Sequence, residues 1–248
     1  MSTFKDHFSG HSAVYARYRP RYPDALYAYL AACAPAHGLA WDCATGNGQA
    51  AVALAAHFEH VVATDASAEQ IAHAVPQERI AYHVEPAERT SLESATVDLV
   101  TVAQALHWFD APPFFAEVRR VLKPGGVVAA WAYSLMRVTP EVDAILTHYY
   151  RDIVGSHWPP ERRVFDDAYA VNFPFPRMEI PPFELKARWN EEMVLGYLSS
   201  WSASQRYWNQ HGADPSERIR ADLNAAWGAI DVVREITWPL YLHAARVV

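Results

Sequence analysis

Cysteine is nearly absent: Cys33 and Cys43 are the only two in 248 residues. Two cysteines build no disulfide scaffold, and their spacing offers no zinc site, so the chain reads as a cytoplasmic protein of a reducing compartment. No apolar run of about 18 residues occurs, which argues against a helical membrane span. The opening residues MSTFKDHFSG lack the apolar core of a signal peptide. Basic residues are outnumbered, with 21 Lys+Arg against 28 Asp+Glu, a net charge of −7. That balance argues against a broad nucleic-acid surface. There is no internal repeat, no low-complexity tract and no cluster of metal ligands. What remains is a 51% hydrophobic chain, long enough for one large α/β domain with an inserted cap.

The segment WDCATGNGQAA, residues 41–51, is the most informative stretch. Leu39 to Cys43 is apolar except for Asp42, as expected of a buried strand end. Gly46 and Gly48 permit a tight turn and close approach of a ligand to the backbone. From Gln49 to Phe58 the residues favour helix, with Val52, Ala55 and Phe58 on one face. A strand running into a helix N-terminus makes a crevice at the carboxyl edge of a sheet. Asp65 closes the next apolar run, where it is placed to accept hydrogen bonds from ribose hydroxyls. A pyrophosphate at the turn would be repelled by Asp42. A cationic, phosphate-free nucleoside such as S-adenosylmethionine (SAM) removes that conflict.

Further elements follow from periodicity and punctuation. A helix after Pro23 carries Leu26, Tyr29, Leu30 and Cys33, and Gly38 is read as its end. Strands are predicted near residues 60–64, 80–84, 97–103 and 127–131. Helices are predicted over 68–74 and 114–122. Lys123-Pro124-Gly125-Gly126 fits a type II turn. Residues 135–180, rich in aromatics and proline, read as a cap. A sixth strand is placed near 183–189, helices over 191–210 and 215–230, and one or two strands in the tail. Alternating strands and helices imply a parallel sheet covered on both faces.

With these motifs in place, the chain resembles the class I SAM-dependent methyltransferases, in particular the small-molecule branch that includes trans-aconitate methyltransferase-like proteins. The resemblance runs through residues 8–133 and reappears in YLSSWSASQRY, residues 197–207. It implies an α/β fold, a Rossmann-like seven-stranded and mostly parallel sheet whose last strand is antiparallel, sandwiched by helices. It implies one domain: a helical cover (1–38), a SAM-binding core (39–134), a cap with strand six (135–230) and C-terminal strands (231–248). By the same resemblance, Asp42, Ala44, Thr45, Gly46, Asn47 and Gly48 form the donor turn, with Ala44 where the family usually has glycine. Asp65 and Ala66 take the ribose, Ala87 and Glu88 the adenine, and Gln104 and Ala105 line the methyl-donor site. Tyr15, Tyr18 and Arg19 cover the donor, with Arg19 a partner for its carboxylate.

Each of these residues also has a plainer reading. Gly46-x-Gly48-x-x-Ala51 with Asp65 fits a nicotinamide fingerprint too, which makes a NAD(P)-dependent oxidoreductase a rival enzyme. Asp65 could cap the following helix, although Ser67 with Gln70 fits a capping box. Glu88 could be a surface glutamate. His107 and Trp108 follow a buried strand at its carboxyl end, where His107 could contact the acceptor and serve as a general base, or simply pack. Trp131 and Tyr133 are candidates for an aromatic acceptor pocket. The expected activity is methyl transfer to a small organic acceptor, through a carboxylate or hydroxyl oxygen. The expected cofactor is SAM, which becomes S-adenosylhomocysteine (SAH). A non-catalytic SAM-binding protein is the alternative, with Ala44 as its only hint.

Overall fold

The computed structural model describes residues 20–165, 169–229 and 231–247. The chain starts with helix α1 (Asp24–Cys33), strand β1 (Leu39–Cys43), helix α2 (Gln49–Leu54) and strand β2 (His60–Asp65). Helix α3 (Ala68–Ala72) leads to strand β3 (Ile80–Val84), then strand β4 (Val97–Ala103), helix α4 (Ala111–Val121) and strand β5 (Leu122–Tyr133). The cap opens with helix α5 (Pro140–His148), followed by tight helical turns over Tyr149–Ile153, Gly155–His157 and Pro160–Phe165. Strand β6 (Glu184–Trp189), helices α6 (Glu191–Ser199), α7 (Ser202–His211) and α8 (Arg220–Trp227), and strand β7 (Arg234–Arg246) complete it.

The seven strands form one sheet in the order β3-β2-β1-β4-β5-β7-β6. Strands β1 to β5 pair in parallel, and β7 runs antiparallel to both β5 and β6. Strand period two divides the core. Val127, Ala129, Trp131 and Tyr133 of β5 join the cluster under α1 and α2. Val128, Ala130 and Ala132 join the cluster under α4. The strand order reverses beside β1, whose neighbours are β2 and β4. That opens a crevice at the carboxyl ends of these strands, the usual ligand position in open α/β sheets.

The first predicted helix ends at Cys33 and not at Gly38. Pro35 disfavours the helical region for the residue before it, and Ala34 is extended with ψ 149°. Gly38 instead allows close approach: its N–H donates to Asp98 Oδ2 at 3.0 Å, and an added Cβ would lie 3.3 Å from that oxygen. Asp98 also accepts from Leu39 N–H and pairs with Lys123 at 2.8 Å, fastening the amino edge of the sheet. Helix α2 stops at Leu54, and its buried residues are Ala50, Ala51 and Leu54, while Val52 is exposed. Gly125 has φ +76°, as the third position of a type II turn requires. The span 191–210 is two helices, because the chain turns at Ser200–Trp201, and the tail is a single long strand. Ser67 caps α3 by accepting from Gln70 N–H at 3.3 Å.

Candidate cofactor and active site

The crevice is built from the β1–α2 turn, the end of β2 and the end of β4. Ala44, Gly46 and Gly48 all have positive φ, at 53°, 58° and 90°. The turn is closed by Thr45 N–H to Thr64 O at 2.9 Å and Gly48 N–H to Thr45 O at 3.0 Å. An added Cβ at Gly48 would overlap the Tyr82 hydroxyl. Asn47 is half-buried on the same turn. Ala44 thus adopts the left-handed conformation that glycine takes without strain, at a cost of roughly 1–2 kcal/mol.

Asp42 is fully buried. Thr45 Oγ1 donates to it at 2.6 Å and Thr101 Oγ1 at 2.8 Å. Burial pushes its carboxyl up to about 6, against these hydrogen bonds, and the nearby Asp65 adds to the rise. Loss of water therefore outweighs the donors present, and a cation nearby would favour the ionised form. Asp65 accepts from Gly46 N–H at 2.9 Å and Ser67 N–H at 2.8 Å. Ala66 is half-buried beside it. Asp65 thus ties the turn to β2 and does not cap α3.

On the other wall, Gln104 has φ +60°, and its N–H donates to Trp131 O at 2.8 Å. Its side-chain Nε2 is buried without a hydrogen-bond partner among the described residues. A buried amide donor normally finds a partner, so this atom marks a place for a polar ligand group. Ala87 and Ala105 are buried. Glu88 is half-buried and accepts from Asp110 N–H at 3.1 Å, fixing the entry to α4. Tyr15, Tyr18 and Arg19 lie outside the described residues.

His107 sits in a short helical turn, Leu106–Trp108, directly after β4. Its ring lies 4.6 Å from Trp108 and 6.2 Å from Tyr169. Burial, reinforced by the Arg162 guanidinium, pushes the imidazole down to about 3. A group so weakly basic is a poor acceptor for a proton at neutral pH. Trp131 and Tyr133, the candidates for an acceptor pocket, pack into the core. Trp131 is fully buried, edge-on to Tyr22 at 5.6 Å and Tyr27 at 6.2 Å, and Tyr133 is nearly so. Inward residues of β5 face the core under α1, so packing claims them. Sequence reasoning did not single out Tyr150, Trp158 and Arg162, which line a cavity in the cap. No motif marks them, since they meet only through the fold of the insertion.

The comparisons with known proteins decide between the rival enzymes. Residues 41–130 match the family described as a methyltransferase domain. A protein of Dictyostelium discoideum named as a methyltransferase is 34% identical over 98% of this chain and 95% of its own. The chain belongs to the class I SAM-dependent methyltransferases. A solved structure from Anaeromyxobacter dehalogenans, titled a type II methyltransferase, is 46% identical with a TM-score of 0.86, covering 92% of this chain and 97% of that one. A methyltransferase of Pestalotiopsis fici, ptaI, is 27% identical over 79% of this chain and 62% of its own. Family membership overturns the NAD(P)-dependent reading of the Gly46–Ala51 fingerprint and makes SAM the cofactor.

The residues present fit SAM. The carboxylates of Asp42 and Asp65 suit a cationic, phosphate-free nucleoside, the positive-φ turn lets it reach the backbone, and the orphaned Gln104 Nε2 offers a donor. Bound there, SAM supplies an electrophilic methyl on a sulfonium sulfur. Among the described residues, no group of three or more metal-binding side chains converges.

Proposed function

We propose that this methyltransferase acts on an oxygen of a small organic acceptor, a carboxylate in preference to a hydroxyl. What supports this reading is the packing of His107 against Trp108 and Tyr169 in the turn after β4, where burial lowers its basicity. A hydroxyl must lose its proton as its oxygen attacks, whereas a carboxylate is already ionised at neutral pH. With SAM bound, its methyl group would be open to that oxygen, and the protein would have no proton to remove. The protein's part is orientation: the rigid turn and Gln104 hold one reactant, and the cap holds the other. Alignment alone can contribute roughly 7–11 kcal/mol. Two free cysteines support a reducing, cytoplasmic setting, and no helix among the described residues is long and apolar enough to cross a membrane. We extend the reading to a small-molecule partner and not nucleic acid, given the net charge of −7.

A radiolabelled methyl donor with a panel of carboxylic acids and phenols tests this. Methyl esters release labelled methanol in mild alkali, and ethers do not. Alkali-stable product throughout would overturn the carboxylate preference. SAH binding with no turnover on any acceptor would favour a non-catalytic SAM-binding protein.

A further inference from the structure

The sheet has two outer strands, β3 and β6, and they present different edges. On β6, Glu184, Lys186 and Arg188 are exposed, and Lys186 lies 3.7 Å from Glu184 and 3.9 Å from Glu235. Charge on an outer strand discourages its free main-chain groups from pairing with another chain. β3, with the sequence IAYHV, carries no carboxylate, lysine, arginine or proline. Val84 is 53% exposed, and Val75, on the approach to the strand, is 61% exposed. Ala81 and His83 are exposed as well. An edge of this kind is a template for another strand.

The main chain limits how that strand can pair. Arg79 O accepts from Val61 N–H at 2.8 Å, and Glu85 N–H donates to Asp65 O at 3.0 Å. Residues 79, 81, 83 and 85 thus turn their main chain toward β2, and by alternation Ile80, Tyr82 and Val84 turn theirs away. Gln77 O takes the Ile80 N–H at 3.1 Å. Among the described residues, nothing bonds to the outward main chain of Tyr82 or Val84.

A two-fold axis makes edge-to-edge pairing antiparallel and self-complementary. Full overlap of the strand puts that axis at Tyr82. Ile80 then faces Val84 of the second copy, and both turn their main chain outward, as a hydrogen-bonded pair requires. The flanking charges agree with the same register. Arg79 falls opposite Glu85 at both ends, a favourable cross-strand pair. Ala81 falls opposite His83, and Glu78, the next charged residue out, falls opposite Pro86. Arg79 gives one N–H to Ala55 O at 3.4 Å, and Glu85 gives Oε2 to Ser91 N–H at 3.0 Å. A guanidinium has five donors and a carboxylate two oxygens, so each side chain keeps atoms for its opposite number.

We propose that β3 is a self-association edge: two copies of this chain pair β3 against β3, antiparallel about Tyr82, and join their sheets into one, with Arg79 of each copy facing Glu85 of the other.

Sedimentation equilibrium of the full-length protein over about 1–100 µM tests this. The wild type is expected to show a monomer–dimer equilibrium in that range. Val84→Pro removes an outward N–H and spares the ladder to β2. Arg79→Glu sets like charges opposite each other. Because the axis repeats each change, either variant should weaken the dimer roughly tenfold or more. Combining Arg79→Glu with Glu85→Arg exchanges the charges and should recover most of that loss. SAH affinity should equal that of the wild type in Val84→Pro and Arg79→Glu. Ala81→Cys combined with His83→Cys places cysteines across the axis with Cα atoms about 4.5 Å apart, close enough for a disulfide. Mild oxidation should then give a covalent dimer on a non-reducing gel, and Ala81→Cys alone should give far less. Should a single variant fail to fold, the cysteine pair still decides the register. The proposal is overturned if the wild type is monomeric at the highest concentration, if folded Val84→Pro and Arg79→Glu keep the full dimer, or if the cysteine pair yields no covalent dimer.

Discussion

Replacing Gly48 by alanine tests the donor turn at its tightest point. Two costs combine. Gly48 has φ +90°, and left-handed backbone strains an L-residue by roughly 1–2 kcal/mol. The new Cβ would also overlap the Tyr82 hydroxyl and sit 3.0 Å from Tyr82 Cε1. The ring is not free to swing, since its hydroxyl donates to Val75 O at 3.1 Å. Overpacking of this kind costs about 1–3 kcal/mol. Reduced freedom of the unfolded chain returns about 0.4–1 kcal/mol. The net expectation is a loss of about 1–5 kcal/mol, a fall in Tm of roughly 2–20 °C for a chain of this size. Urea unfolding of Gly48→Ala, Tyr82→Ala and the double variant separates the two costs. With the ring gone, Gly48→Ala should cost only the backbone strain, leaving a coupling of about 1–3 kcal/mol. A coupling near zero would refute the steric argument, and an unchanged Tm in the single variant would refute both.

Three further expectations follow from the same site. Ala44→Gly relieves strain at φ +53° and should stabilise by up to about 1 kcal/mol after the greater unfolded-state freedom of glycine is deducted; a lower urea midpoint would contradict this. The folded-state pKa of Asp42 is raised from 3.8 to about 6. Its contribution is therefore full below pH 3.8 and lost as pH rises through 6, about 3 kcal/mol in all. Asp42→Asn should flatten that slope in unliganded protein, while wild-type SAM affinity should weaken as pH falls below about 6. His107, lowered from 6.5 to about 3, acts in the opposite sense: its contribution is present above pH 6.5 and is lost as pH falls toward 3. His107→Gln should remove this acid lability, and a kcat–pH profile that keeps its shape in that variant would confirm that His107 is no proton acceptor.

Much of the donor crevice is legible in one sequence because its requirements are local. A left-handed turn needs small residues in fixed spacing, and Gly46 and Gly48 meet that need within three positions. Asp42 and Asp65 sit at strand ends that hydrophobic runs announce. Even Ser67 capping α3 is a four-residue signal. The roles of individual side chains were less legible. Asp42 stands at a strand end in sequence, but only packing decides that it is fully buried and raised toward neutrality. Trp131 and Tyr133 stand in the last three residues of β5, and the pleat turns them into the core beneath α1.

The order of elements and the donor turn were set by short-range patterns: period two, period 3.6, glycine and proline. Tertiary structure alone decided the surroundings of His107. It laid the Arg162 segment against the turn that holds His107, and burial and that neighbouring cation lower the basicity of the imidazole. This effect depends on solvent exclusion between segments distant in sequence, and no local pattern encodes that exclusion.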